Sequence, residues 1–368
     1  MIIDNKSLLL LSKNAPRWIA ERRESAAKSF FNAPMPSERE EAWRYTTLGN
    51  MEIKSSSDAL LKVSGKCATP MSAETEKLIP ASAGEDKFDF FNNAFWTSGY
   101  SVVVPDNMDA GVIEARIGAG ITRSVVVLGK NAKAEIVEYI SGGSGVTSNF
   151  LYVVTGENAH ASVYSVSDLA SGVRDFSYKR AFLNSNSSVT WNVAQFGSAL
   201  SRIKVDNHFN GEGSSSRVTG LFGASGLQHM DLTTNAFHNV PNTSCTMNIK
   251  GALKDSASHV YRGLIKIEKA AKNTSSYLSD HALALSKNAS ANSIPSLMID
   301  NNDVKCGHSA SVGNVDEEKL LYIMSRGLDR KSAENLIVEG FFSHMIASVP
   351  SEKMRSEFSR IVRERILC

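Results

Sequence analysis

The feature that most constrains this chain is a recurrence of one short pattern. Asn131-Ala-Lys-Ala, Asn158-Ala-His-Ala, Asn186-Ser-Ser-Val and Gly213-Ser-Ser-Ser each place a turn residue ahead of small residues, about 27 residues apart. Between and after them lie short alternating segments rich in Val, Ile, Tyr and Thr. Examples are Ala134-Glu-Ile-Val-Glu-Tyr139, Leu151-Tyr-Val-Val154, Val163-Tyr-Ser-Val166, Val189-Thr-Trp-Asn-Val193 and Val260–Ile267. Period-two alternation of this kind marks half-buried strands. A regular return of the same strand opening predicts coils that bury their faces against their neighbours, most simply a right-handed parallel β-helix. Later openings at Asp255, Lys272 and Lys287 are closer together and less regular. A large antiparallel sandwich or a propeller is the alternative, although no repeated blade motif is present.

Helical regions flank this core. The spacing suggests three parts: a helical region and linker over 1–85, a β-helix over 86–313, and a helical region over 314–368. Ser37-Glu-Arg-Glu40 has the form of a capping box leading into Glu41–Tyr45. The stretch from Ser55 to Asp86 lacks a firm period and reads as a loosely ordered connection. Near the end, Asp316-Glu-Glu starts a helix carrying Leu320, Leu321, Ile323 and Met324, closed at Arg326-Gly327. A second helix carries Ala333, Leu336, Ile337, Gly340, Phe341 and Met345 in an amphipathic stripe, with Phe342 beside it. These two helices are expected to cap the solenoid, to bind a partner, or both.

Composition narrows the function. Forty Lys and Arg against 38 Asp and Glu give a net charge of +2, too balanced for a protein held on nucleic acid by phosphate contacts. The apolar run Leu8–Leu11 is too short to span a bilayer or to direct export, so a cytoplasmic chain is expected. The four cysteines (67, 245, 306 and 368) are scattered, which suits reduced thiols. Phosphate-binding, zinc-protease, nucleophile-elbow and dinucleotide motifs are missing from the sequence. Cys306-Gly307-His308 stands out. On a strand, residues two apart share a face, so thiol and imidazole lie side by side. Both are ligands for iron, zinc or copper, but two ligands fall short of a closed site. The pair is therefore half of a site that another chain completes, or chance.

Asp303–Gly313, with Asp316–Tyr322 and Ser325–Leu328 after it, closely resembles the C-terminal signature of the SufB/SufD proteins of iron–sulfur cluster assembly. Glu41–Thr46, Phe91–Phe95, Gln228–Asp231, His238–Asn242, Lys250-Gly251 and Tyr261–Leu264 are similar to other stretches of that family. The resemblance implies a β-helix core flanked by helices and a non-enzymatic scaffold for a nascent Fe–S cluster bound only transiently, with no permanent cofactor. It further implies pairing through the β-helix with a SufB-like subunit or a second copy, and sulfur delivered by a cysteine desulfurase. A SufC ATPase would sit on the C-terminal helices, at Leu320, Leu321, Met324, Leu336, Ile337, Phe341 and Phe342. By the same resemblance His308, with Cys306 beside it, faces the partner at the cluster. Where SufB proteins carry a cysteine and a glutamate, this chain has Ser279 and Ser309, which favours the SufD branch. Tyr261–Leu264 looks more like SufB, so a divergent member pairing with itself stays open. A polysaccharide-active β-helix enzyme is the remaining rival; its carboxylates would be Asp206, Asp231 and Glu212, which lie on different coils.

Overall fold

Asn131, Asn158 and Asn186 share an unusual backbone, with φ of 55°, 56° and 54°. This left-handed region is tolerated by Asn, whose short polar side chain bonds locally, and by Gly. Gly213 (φ 75°), Asn242 (59°) and Asn273 (55°) hold the same place in later coils. The turns also stack. The amide of Asn131 donates to the Glu157 carbonyl at 2.8 Å, and that of Asn158 to Ser185 at 2.9 Å. Their side chains form a ladder: Asn131 Nδ2 donates to Asn107 Oδ1 at 2.7 Å, and Asn158 Nδ2 to Asn131 Oδ1 at 3.0 Å.

The computed structural model describes residues 3–13, 15–49, 51–54, 60–80, 86–347 and 352–367. The strands begin with β1 (Leu61–Ser64), β2 (Ala68–Pro70), β3 (Tyr100–Val104), β4 (Asp109–Gly118), β5 (Ile121–Leu128) and β6 (Lys133–Gly142). Then come β7 (Val146–Thr155), β8 (His160–Leu169), β9 (Arg174–Leu183), β10 (Ser188–Gly197), β11 (Leu200–Phe209) and β12 (Ser215–Ala224). The series ends with β13 (His229–His238), β14 (Ser244–Leu253), β15 (Ser258–Ile267), β16 (Thr274–Ala284), β17 (Ser290–Ile299) and β18 (Val304–Asn314). Even-numbered strands from β4 to β18 form one sheet and odd-numbered strands from β3 to β17 the other, successive members of each pairing in parallel. The result is a parallel β-solenoid of about eight coils. The sandwich and the propeller are excluded.

Each coil makes two turns, and that explains the irregular later openings. Asp255 (φ 59°) and Lys287 precede odd-numbered strands, whereas Asn273 precedes an even-numbered one. Two stacks of turns are interleaved in the sequence, where they look like one irregular series.

The segment before the core is more ordered than its composition suggests. Among its described residues, β1 and β2 pair antiparallel to β4 and β3, covering the edge of the first coil. The helices here are α1 (Asn5–Ser12), α2 (Arg17–Asn32), α3 (Ala73–Glu76) and α4 (Lys87–Phe95). The capping box is only half realised: the Ser37 amide donates to Glu40 Oε1 at 3.1 Å, but a single 3-10 turn, Glu41–Trp43, follows. Tyr45 then adopts φ 69°, and Trp43 turns inward beneath the Arg202 guanidinium, 3.9 Å from its ring centre. Together α1, α2 and α4 cover the outer face of the odd sheet, where Phe88 stacks on Phe176 at 3.5 Å.

The C-terminal helices are α5 (Glu317–Met324), α6 (Arg330–Ala347) and α7 (Glu352–Val362), one more than the two expected. Of the roles expected here, capping the end, binding a partner or both, the packing of α6 and α7 does not show the first. Val338, Phe342, Met354, Phe358 and Ile361 lie instead along the outer face of the even sheet, against Tyr139, Tyr164, Phe196 and Leu221. Burying such side chains contributes roughly 1.5–3 kcal/mol each. Cys368 and the side chain of Met345 lie outside what is described.

Inside the solenoid the core is mainly apolar, with a few buried polar side chains. Lys179 Nζ meets Glu138 Oε2 at 2.8 Å, and Tyr100 donates to the other oxygen at 3.0 Å. His238 faces inward, stacked on Phe209 at 4.4 Å, with burial pushing its pKa down to about 4. The unfolded chain therefore takes up this proton first as pH falls below about 6.5, and stability is lost down to about pH 4. Asp175, pushed up to about 6 by burial, works in the opposite direction between about pH 6 and 4. Urea unfolding should accordingly show a pH 7 to 4.5 stability loss about 2–3 kcal/mol smaller in His238→Gln than in the parent. Equal losses would show that His238 does not stay neutral.

Candidate functional site

The register of the last coil sets the site. β18 pairs with β16, placing Cys306 beside Ser276, His308 beside Leu278 and Ser309 beside Ser279. Since Leu278 belongs to the solenoid core, Cys306 and His308 share the inward face of the final strand. Cys306 is half-buried against that core, while His308 is exposed at the open mouth. Gly307 between them faces the other way. A Cβ there would stand 3.3 Å from the Tyr277 ring, so glycine lets β18 lie close beneath it.

Burial pushes the Cys306 thiol up, with a backbone hydrogen bond from Ser276 opposing. A neutral thiol is a weak nucleophile and ligand until a cation or a second chain lowers its pKa. No group of three or more potential metal ligands occurs among the described residues. The chain thus brings two donors to an open end, short of the roughly four that a closed structural site needs.

One coil further in lies a pair that the sequence did not single out. His259 and Asp280 are buried, with Nε2 and Oδ1 3.8 Å apart, and His259 stacks on Phe222 at 3.7 Å. Both Asp280 oxygens and the Ser276 hydroxyl lack a hydrogen-bond partner among the described residues. Polar atoms therefore line the inner wall behind Cys306. Nothing in local sequence distinguishes an inward Asp on a strand from an outward one, except register against its neighbours.

Among the described residues nothing covers the mouth itself. β17 and β18 end the two sheets, and Leu297, Met298, Ile299 and Val312 are exposed beside it, Met298 by 55% and Val312 by 51%. Pro295, which cannot donate to a ladder, sits on the edge strand β17.

The C-terminal residues divide. Leu320 and Phe342 are buried in the chain's own packing and offer nothing to a partner. Leu321 and Leu336 are 61% and 50% exposed, next to exposed Tyr322 and Leu328; Met324, Ile337 and Phe341 are half-buried. The carboxylates of the enzyme reading are differently engaged. Asp206 binds Arg180 at 3.2 Å and Asp231 binds Arg262 at 2.8 Å, both on the outward face beneath the N-terminal region, while Glu212 sits in a turn stack. No pair of them is free for acid–base work.

The description "SUF system FeS cluster assembly, SufBD core domain" matches residues 112–341, more than half of the chain. The chain belongs to the SufBD family. Similar proteins include the iron–sulfur cluster assembly SufBD family proteins of Staphylococcus epidermidis, Staphylococcus saprophyticus and Staphylococcus aureus. Each is 26% identical over 297 residues, covering 78% of this chain. The match spans 63% of those relatives' length. The SufBD match runs from within β4 into α6, so it takes in Cys306, His308 and the exposed leucines of α5 and α6.

Proposed function

We propose that this SufBD-family chain is a SufD-like, non-enzymatic scaffold subunit on which nascent Fe–S clusters are assembled before transfer to apo-proteins. The observation that carries the reading is the Cys306–His308 pair on the inward face of an uncovered terminal coil. Two soft donors at an open edge call for a second subunit to complete the ligand set. The cluster is cargo, held transiently, and the chain needs no resident cofactor. Ser279 and Ser309 lie side by side in register where SufB-like chains carry acceptor groups, which supports the SufD-like assignment. A SufB-like subunit is then the partner at the mouth, with a SufC ATPase on α5–α6 and a desulfurase supplying sulfur, in the cytoplasm. Among the described residues no helix is long and apolar enough to cross a membrane.

Co-expression with SufB and SufC followed by sedimentation tests the assembly. The parent should sediment as a complex with both. Leu297→Asp with Val312→Asp places charges on exposed apolar positions of the mouth, and should abolish SufB pairing while circular dichroism stays β-rich. Pairing that survives the double substitution refutes an interface at the terminal coil. A stable assembly of this chain alone, undiminished by added SufB, identifies the partner as a second copy.

A further inference from the structure

The outer face of the even sheet holds a cavity of about 490 Å³ that the cluster site does not use. Parallel register builds its floor in columns. Thr190, Arg217 and Thr246 are lateral neighbours on β10, β12 and β14, and Asn192, Thr219 and Asn248 form the next column. Lys250 and His281 pair in a third column, on β14 and β16. Among the described residues no carboxylate lines the cavity. An ordinary solvated sheet surface mixes charges of both signs, whereas this one is uniformly cationic or neutral.

The two cations differ in commitment: Lys250 lies 4.9 Å from the centre of the Phe341 ring, whereas Arg217 is open. Arg217 has no hydrogen bond or ion pair among the described residues and is exposed to the cavity. Lys250 donates one bond, to the Phe341 carbonyl at 3.3 Å, leaving further N–H groups on its ammonium. Thr246 is the register partner of Arg217, so Lys250 stands four residues further along the neighbouring strand. The two backbones are about 14 Å apart. Between them lie hydroxyl and amide groups, which both donate and accept. Of these, Asn248 Oδ1 accepts from Ser279 at 2.7 Å.

We propose that this cavity binds a phosphate-bearing small molecule with a hydroxyl-rich body, its anionic groups held by Arg217 and Lys250. A guanidinium binds phosphate oxygens in bidentate fashion, an ammonium binds them as a point charge, and the Thr and Asn floor matches hydroxyls. The volume lies in the range of small-molecule sites. The ligand is independent of the cluster, which belongs at the mouth.

Isothermal titration of the full chain with fructose 1,6-bisphosphate as probe tests this. Saturable binding at one site is expected, weakened at least tenfold in Arg217→Gln and in Lys250→Gln, with unphosphorylated fructose silent. Arg217 is exposed and unpartnered, so its substitution leaves the fold intact, as circular dichroism would verify. No saturable binding, an affinity unchanged in Arg217→Gln, or equal displacement of the probe by the same concentration of sulfate would each overturn the proposal.

Discussion

His308→Ala should reduce cluster formation by the assembled complex at least tenfold, read as Fe–S absorbance and as activation of an apo-protein. The loss should come without any change in SufB or SufC co-purification. His308 is exposed on the inward face of the last strand, so removing its ring leaves no buried cavity. What disappears is the proposed ligand, at the edge where the proposed second subunit would meet the chain. Cys306→Ser should act more weakly. Its thiol is half-buried and pushed up by that burial, hence protonated until the partner or the iron draws the proton away. A near-parental cluster yield from His308→Ala would refute the role given to the imidazole.

The second large effect concerns the ATPase. Leu321→Asp combined with Leu336→Asp should abolish SufC co-purification while leaving the melting temperature within a few degrees of the parent. Both leucines are exposed on α5 and α6, and apolar anchors of this type dominate interface energetics even though few residues carry most of it. Deleting the whole helical region would be a poor test. It would strip Phe342, Phe358 and Ile361 from Tyr139, Tyr164 and Phe196, exposing an apolar sheet face that invites aggregation. Substituting buried Leu320 or Phe342 confounds binding with folding for the same reason. Retention of SufC by the double variant would move its platform elsewhere.

How far the sequence could be read follows from which interactions are local. Asn131, Asn158 and Asn186 announce themselves because a left-handed turn admits few residue types, and each begins an alternating run. The pairing of Cys306 with His308 on one face needed only the period of a strand. Long-range matters were hidden. Two interleaved turn stacks merge into one irregular series when only one dimension is visible. The stripe Met354, Phe358, Ile361 and Val362 of α7 was present in the sequence but adjoins no strand that it covers. Trp43 belongs under Arg202, a residue far along the chain, so its local helix signal yielded to a tertiary contact. Which polar strand residues point inward, such as Glu138, Lys179, His259 and Asp280, depends on register across coils. For the same reason the residues of the cationic cavity, drawn from five strands, could not be assembled by eye.

A stack of coils behaves as a one-dimensional chain of nearest-neighbour couplings, and its weakest link is the unit with one neighbour. Here that unit is β17–β18, which carries the proposed ligands and hydrogen-bonds to the rest of the solenoid on one side only. In the isolated subunit, amides of this coil should open and exchange with solvent well before those of β9–β14, which are flanked on both sides. Docking a second subunit on the edge would supply the missing coupling. Ordering of the ligand-bearing strand and completion of the ligand set would then be one thermodynamic event, so that an unpaired subunit holds its two donors on the most easily unravelled segment of the rod.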